Sequence, residues 1–164
     1  MISYIAAVFT AVLLLIADQV VKYVVVSNLA LYSSTPLIDG LLNINYIYNT
    51  GGAWGILSGH RVLLIVITVI VMAVCIVWLI LKGRKNKWLF WAVSLILSGG
   101  LGNMIDRIFR GGKVVDFLQF DFWQSFPVFN IADCGIVIGC GILILYLTLD
   151  MIKEGKEKKA NANS

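Results

Sequence analysis

VLLIVITVIVMAVCIVWLIL, residues 62–81, carries no charge and one hydroxyl, Thr68. A helix rising 1.5 Å per residue needs about 20 such residues to cross the ~30 Å hydrocarbon core of a bilayer, so this stretch reads as a transmembrane helix. Working outward, three more apolar runs have comparable length: Ile2 to Val26, Trp88 to Ile105 and Val128 to Leu149. The first has neither the basic start nor the small-residue cleavage site of a secretory signal, and Asp18 and Lys22 interrupt its second half, so it reads as a retained span. With 60% hydrophobic and 13% charged residues and a mean hydropathy of +0.91, the 164 residues fit a single integral membrane domain, 1–164.

Charge orients the spans. The link KGRKNK (Lys82 to Lys87) and the tail KEGKEKK (Lys153 to Lys159) each bring four cations to span ends, which the positive-inside rule assigns to the cytoplasm. Both termini are then cytoplasmic, with a basic tail over 150–164. The +4 net charge is thus a topology and lipid signal, which makes nucleic acid an unsuitable partner. Cys75, Cys134 and Cys140 all lie in apolar stretches without metal-ligand spacing, which argues against a disulfide framework or a zinc site.

The two longer connections fall outside the cytoplasm. In LLNINYIYN, Leu42, Ile44, Tyr46 and Tyr48 alternate with Asn43, Asn45, Ile47 and Asn49 between Pro36–Gly40 and Gly51–Gly52, a half-buried strand pattern. A small sheet on the outer membrane surface is expected there. VVDFLQFDFWQSF, rich in phenylalanine, is expected to be an interfacial aromatic segment. The fold class is therefore an all-α membrane protein with a small β element, a four-helix transmembrane bundle.

Ionisable groups within spans are costly and are functional candidates by default. Asp18 sits about 16 residues into the first span, ~24 Å from its cytoplasmic start. Lys22 is one turn further on. Asn103, Asp106 and Arg107 close the third span; Asn130 and Asp133 open the fourth; Asn49 and Asp116 lie in the outer connections. All meet at one depth. Asp18 and Lys22, at i,i+4, read at least as well as a structural ion pair. Arg107 could snorkel to headgroups, or hold a substrate carbonyl or a lipid phosphate. Gly99, Gly100, Gly102, Gly135 and Gly139 read as close-packing positions. Asn130 reads as an organiser of backbone, and Asp39 and Asp121 as solvated loop charges.

Asp116 and Asp133 differ in being partly desolvated. Two carboxylates in one low-dielectric site hold a single proton between them near neutrality, the requirement of aspartic-protease chemistry. Two unrelated structural carboxylates are the alternative. His60 is the only histidine and no HExxH motif occurs, which disfavours a zinc peptidase and leaves Ser-His or Cys134-His pairs dependent on one residue. Ser94 or Ser98 with Lys22 as base stays open, as do a small transporter using Asp18 and Lys22 and a scaffold without chemistry.

The motifs DQVVK (18–22), NTGGAWG (49–55), GGLGNMIDR (99–107), GKVVDF (112–117) and FNIAD (129–133) together resemble bacterial lipoprotein signal peptidase, the signal peptidase II family, over nearly the whole chain. The resemblance implies an outer-face β-cradle, placed at about 34–54, and Asp116 and Asp133 as a catalytic dyad. It also implies site support or substrate positioning by Asn49, Gly52, Asn103, Arg107, Asn130, Asp18, Lys22 and Asp106. It further implies cleavage of diacylglyceryl-modified prolipoproteins before the lipidated cysteine, in the bacterial inner membrane, with the site near the outer face. No metal or cofactor is implied. The expected partners are those substrates and membrane phospholipids, with the chain a monomer.

Overall fold

The computed structural model describes residues 1–83 and 86–162, without the side chains of residues 53, 82, 157 and 159–162. Of the basic link, Arg84 and Lys85 lie outside the described residues, as do Asn163 and Ser164 of the tail. Among the described residues four α-helices form: α1 (Ile2–Asn28), α2 (Arg61–Lys82), α3 (Lys87–Phe109) and α4 (Ile131–Ala162). Each is long and apolar enough to cross a membrane, α4 by way of its segment Ile131–Lys156.

α3 is the central helix, packed against the other three, whereas no residue of α2's apolar stretch is buried within the protein. Lipid is as apolar as leucine, so close backbone approach has to supply the packing. Glycine provides it. A Cβ at Gly99 would strike the Ala132 carbonyl oxygen, one at Gly139 would lie 2.7 Å from the Ala92 carbonyl, and one at Gly102 would lie 2.8 Å from Asp18 Oδ2. Side-chain oxygen of Asn86 accepts from the amides of Trp88 and Leu89 and caps the start of α3. The helix ends at Phe109, four residues beyond the apolar run, because Arg110 folds back onto Asp106 and carries the last turn.

Three strands, β1 (Ser34–Ile38), β2 (Leu42–Asn49) and β3 (Val114–Phe120), form an antiparallel sheet in that order. β3 corrects the sequence reading. VVDFLQF is not an interfacial segment alone but a strand beside β2, pairing Asn49 with Val114 and Ile47 with Asp116. Its first four residues are all buried, so the alternation that marks a half-exposed strand is missing. A bulge between Ile44 and Ile47 shifts the β2 register beside Asp116. Val115, Phe117 and Tyr46 pack with Val25 of α1, which docks the sheet on that end of the bundle. At the end of the strand Phe120 meets Phe126 and Phe129, the three ring centroids lying 5.1–5.9 Å apart.

Candidate active site

α4 begins where Asn130 and Asp133 cap each other. Asn130 Oδ1 accepts from the Asp133 amide at 2.9 Å, and Asp133 Oδ2 accepts from the Asn130 amide at 3.0 Å. This reciprocal capping box fixes the first turn. Asp18 of α1 satisfies another free donor by accepting from the Ala132 amide at 2.9 Å. Asp133, three residues past the cap, thus occupies a position where the helix dipole favours an anion.

Asp116 arrives from β3. Val115 and Phe117 point into the sheet–α1 core, so the intervening side chain faces the other way. There Asp116 Oδ2 accepts from Asn49 Nδ2 at 2.9 Å and Oδ1 from Asn130 Nδ2 at 2.6 Å. Asn103 Nδ2 donates to Asp133 Oδ1 at 2.7 Å, and its own Oδ1 accepts from Asn130 Nδ2 at 3.0 Å. Asn130 therefore links both carboxylates, directly and through Asn103. Both carboxylates line one cavity of about 680 Å³, together with Asn49, Asn103 and Arg107.

Asp116 is 1% exposed. Burial pushes its carboxyl up to about 7, helped by the negative charge of Asp133 and opposed by the hydrogen bonds from Asn49 and Asn130 and by the Lys22 charge. A carboxyl titrating near 7 is partly protonated at neutral pH, which suits it to proton transfer.

Asp18 and Lys22 do not line the cavity. The Lys22 ammonium, fully buried, donates to Asp18 Oδ2 at 2.9 Å, Asp106 Oδ2 at 3.0 Å and Asn103 Oδ1 at 3.1 Å. All three of its N–H bonds are used, which removes it as a base for a serine nucleophile. Ser98 Oγ is likewise engaged, donating to the Ala11 carbonyl. Asp106 also accepts from the Val115 amide at 3.0 Å, which ties α3 to the strand carrying Asp116. Arg107 donates from Nη2 to the Gly51 carbonyl at 3.0 Å, while its buried Nε has no partner among the described groups. Gly52 lies in the same cavity wall, its amide bonded to the Ile56 carbonyl. Asp121 is no free loop charge: Asn43 Nδ2 donates to it at 2.9 Å.

Sequence reasoning passed over Gln19, which donates to Asp18 and to the Gly102 carbonyl, and Arg110, which pairs with Asp106 at 3.0 Å. The Asp106–Arg110 spacing of i,i+4 was a usable signal; nothing local marks Gln19. Among the described residues, no three His, Cys, Asp or Glu side chains come together as a metal site.

Residues 10–149 match the family model described as signal peptidase (SPase) II. The chain belongs to the signal peptidase II family. Lipoprotein signal peptidases from Enterococcus faecalis and Staphylococcus aureus are similar to it. The first is 43% identical over 146 residues, spanning 89% of each chain. The second is 39% identical over 155 residues, spanning 93% of this chain and 94% of the relative. A bacterial membrane enzyme solved by the in meso method at 2.3 Å superposes with a TM-score of 0.84 at 37% identity, covering 89% of both chains. Membership in the signal peptidase II family makes the chain a multi-pass membrane protease of lipoprotein processing.

Proposed function

We propose that this peptidase is of the aspartic type, with Asp116 and Asp133 as its dyad, and that it cuts diacylglyceryl-modified prolipoproteins just before the lipidated cysteine. The observation that carries the reading is that carboxylates from a strand and a helix line one cavity and share Asn130 as hydrogen-bond partner.

In this mechanism Asp116 holds the proton and Asp133, at the α4 N-terminus, is ionised. Asp133 takes a proton from water as the water oxygen bonds to the scissile carbonyl carbon, and Asp116 gives its proton to the carbonyl oxygen. The resulting gem-diol collapses: the C–N bond breaks, Asp133 delivers its proton to the departing nitrogen, and Asp116 recovers one from the diol. Each carboxyl ends as it began. Arg107, with Nε turned to no protein acceptor, holds a substrate backbone carbonyl, Asn49, Gly52 and Asn103 shape the floor, and Asn130, buried behind it, holds Asp116 and Asn103 in place. The cavity wall formed by Leu64, Ile136, Val137 and Ile138 accepts apolar parts of the substrate.

The same reading puts both termini in the cytoplasm of a bacterial cell, the sheet as a cradle on the outer face of the inner membrane, and the chain at work as a monomer among phospholipids. The whole chain acts as one domain. Basic residues at the end of the bundle opposite the sheet support the orientation. Purified protein in detergent with a lipidated prolipoprotein tests the dyad: Asp116→Asn and Asp133→Asn each abolish cleavage while the protein stays folded. Near-normal turnover by either variant would overturn the assignment. Proton-coupled flux through the protein in liposomes would instead favour a transporter.

A further inference from the structure

Of the chain's 13 lysines and arginines, eight lie in the basic link and tail, and Lys22 and Arg107 are buried. The remaining three, Arg61, Arg110 and Lys113, cluster at the sheet end. Cations at that end run against the distribution that orients the bundle, so their gathering there calls for a cause.

A tight turn gathers them. α3 gives way at Arg110 to Gly111 and Gly112, both with positive φ (68° and 91°), and Lys113 follows. The Arg61 side chain, from the first residue of α2, lies across Gly112 where a Cβ would collide with its stem. Gly112 thus seats Arg61 beside Lys113. The Lys113 ammonium sits 5.3 Å from the Tyr48 ring centroid, and Arg110 spends its Nε on Asp106. Among the described residues neither Arg61 nor Lys113 has a carboxylate partner.

The nearby acids are accounted for. Asp106 is buried and holds Lys22 and Arg110. Asp116 faces the cavity. Asp39 and Asp121 lie by the β1–β2 turn, at the opposite end of β3 from Lys113, about 26 Å along the strand at ~3.3 Å per residue. On the other side of the cations, Ile108, Phe109 and Val62 are 52%, 80% and 73% exposed. Cations bordered by exposed apolar side chains match a lipid whose phosphate meets the charges while its chains run down the helices.

The geometry points to a binding site for the phosphate of an anionic phospholipid headgroup, formed by Arg61, Lys113 and the free guanidinium nitrogens of Arg110 around the Gly111–Gly112 turn. A diacylglyceryl group on cysteine has no phosphate, so this lipid is distinct from the proposed substrate. The site borders the cavity, since Leu64 lies one turn from Arg61 and Val114 follows Lys113. A lipid held there packs the seam between α2 and the sheet.

Native mass spectrometry of the detergent-purified full chain, with equimolar phosphatidylglycerol and phosphatidylcholine, tests this without reference to proteolysis. The wild type retains phosphatidylglycerol preferentially. Arg61→Gln with Lys113→Gln lowers that preference by roughly fivefold for each cation removed, while Arg61→Lys keeps most of it. Thermal unfolding checks that the variants remain folded. Equal retention of the two lipids by wild type, or an unchanged preference in the double variant, overturns the proposal. Displacement of the lipid by millimolar inorganic phosphate also overturns it, by making this a site for free anions.

Discussion

Replacing Lys22 by methionine keeps the side-chain stem and deletes a buried ammonium. The network around it is neutral: Lys22 and Arg110 offset Asp18 and Asp106. After the change Asp106 keeps Arg110 Nε and the Val115 amide, but Asp18 keeps only Gln19 Nε2 and the Ala132 amide and faces no cation. Removing one partner of a buried ion pair costs about 3–5 kcal/mol, because the other charge is left uncompensated. Arg110 still serves Asp106, which places the expected loss near the lower figure, about 3 kcal/mol. Equilibrium unfolding in mixed micelles measures it. The reasoning also fixes a double variant: Lys22→Met with Asp18→Asn removes the orphaned charge and recovers part of the loss. A single variant within about 1 kcal/mol of wild type, or a double variant that shows simple additivity, would refute the argument that charge compensation holds these helices together.

Asp116 gives the pH dependence. Its folded value of about 7 lies above the ordinary carboxyl value of 3.8, so the folded protein binds the extra proton across that window. Stability from this group is full at the acid end and is lost as pH rises toward 7; a denaturation series across pH 4–8 should show that slope, and Asp116→Asn should remove it. Cleavage should follow a bell-shaped profile with its alkaline limb near 7. Asn49→Val removes a hydrogen bond that lowers the Asp116 value, so the limb moves to higher pH. Gly99→Ala places a methyl group against the Ala132 carbonyl and 2.7 Å from Ile136 Cγ1, costing about 1–3 kcal/mol in unfolding assays, whereas Gly141→Ala, with open space around it, costs nothing measurable. Asn103→Asp turns the donor to Asp133 into an acceptor at 2.7 Å while Lys22 still serves the other oxygen; turnover falls at least a hundredfold with the helices intact by circular dichroism, and wild-type turnover would discount that hydrogen bond.

Much of this was legible because a membrane makes sequence explicit. An uncharged run such as Val62 to Leu81 has few alternatives to a spanning helix, and the meeting of Asp18, Lys22, Asn103, Asp106 and Asp133 at one end of the bundle follows from counting along such helices. The capping box is written in Asn130–Ile131–Ala132–Asp133, which also explains why α4 starts at Ile131 rather than with the apolar residues from Val128. β3 was hidden because Val115 and Phe117 fill one side and Asp116 the other, so both faces are buried and period two vanishes. The role of Gln19 was hidden too, since its partners, Asp18 and the Gly102 carbonyl, are brought together only by the α1–α3 packing.

The choice of neighbours around the two acids has its own logic. A lysine or arginine bonded directly to either carboxylate would favour the ionised form and discharge the proton that the proposed acid catalysis requires. Asparagine supplies donors without full charge, and three asparagines stand at these positions: Asn49 on Asp116, Asn103 on Asp133, and Asn130 on both, by its side chain to one and its backbone to the other. The full charge is placed one residue further away. By donating to Asn103 Oδ1, Lys22 fixes which end of that amide is the acceptor and so turns its NH₂ toward Asp133. Its charge is balanced by Asp18 and Asp106, and those two acids in turn hold the Ala132 amide of α4 and the Val115 amide of β3, each adjacent in sequence to one member of the pair. The ion cluster that compensates itself inside the bundle is therefore also the clamp that sets the backbone positions of both carboxylates, which is why charge and geometry at this site cannot be altered independently.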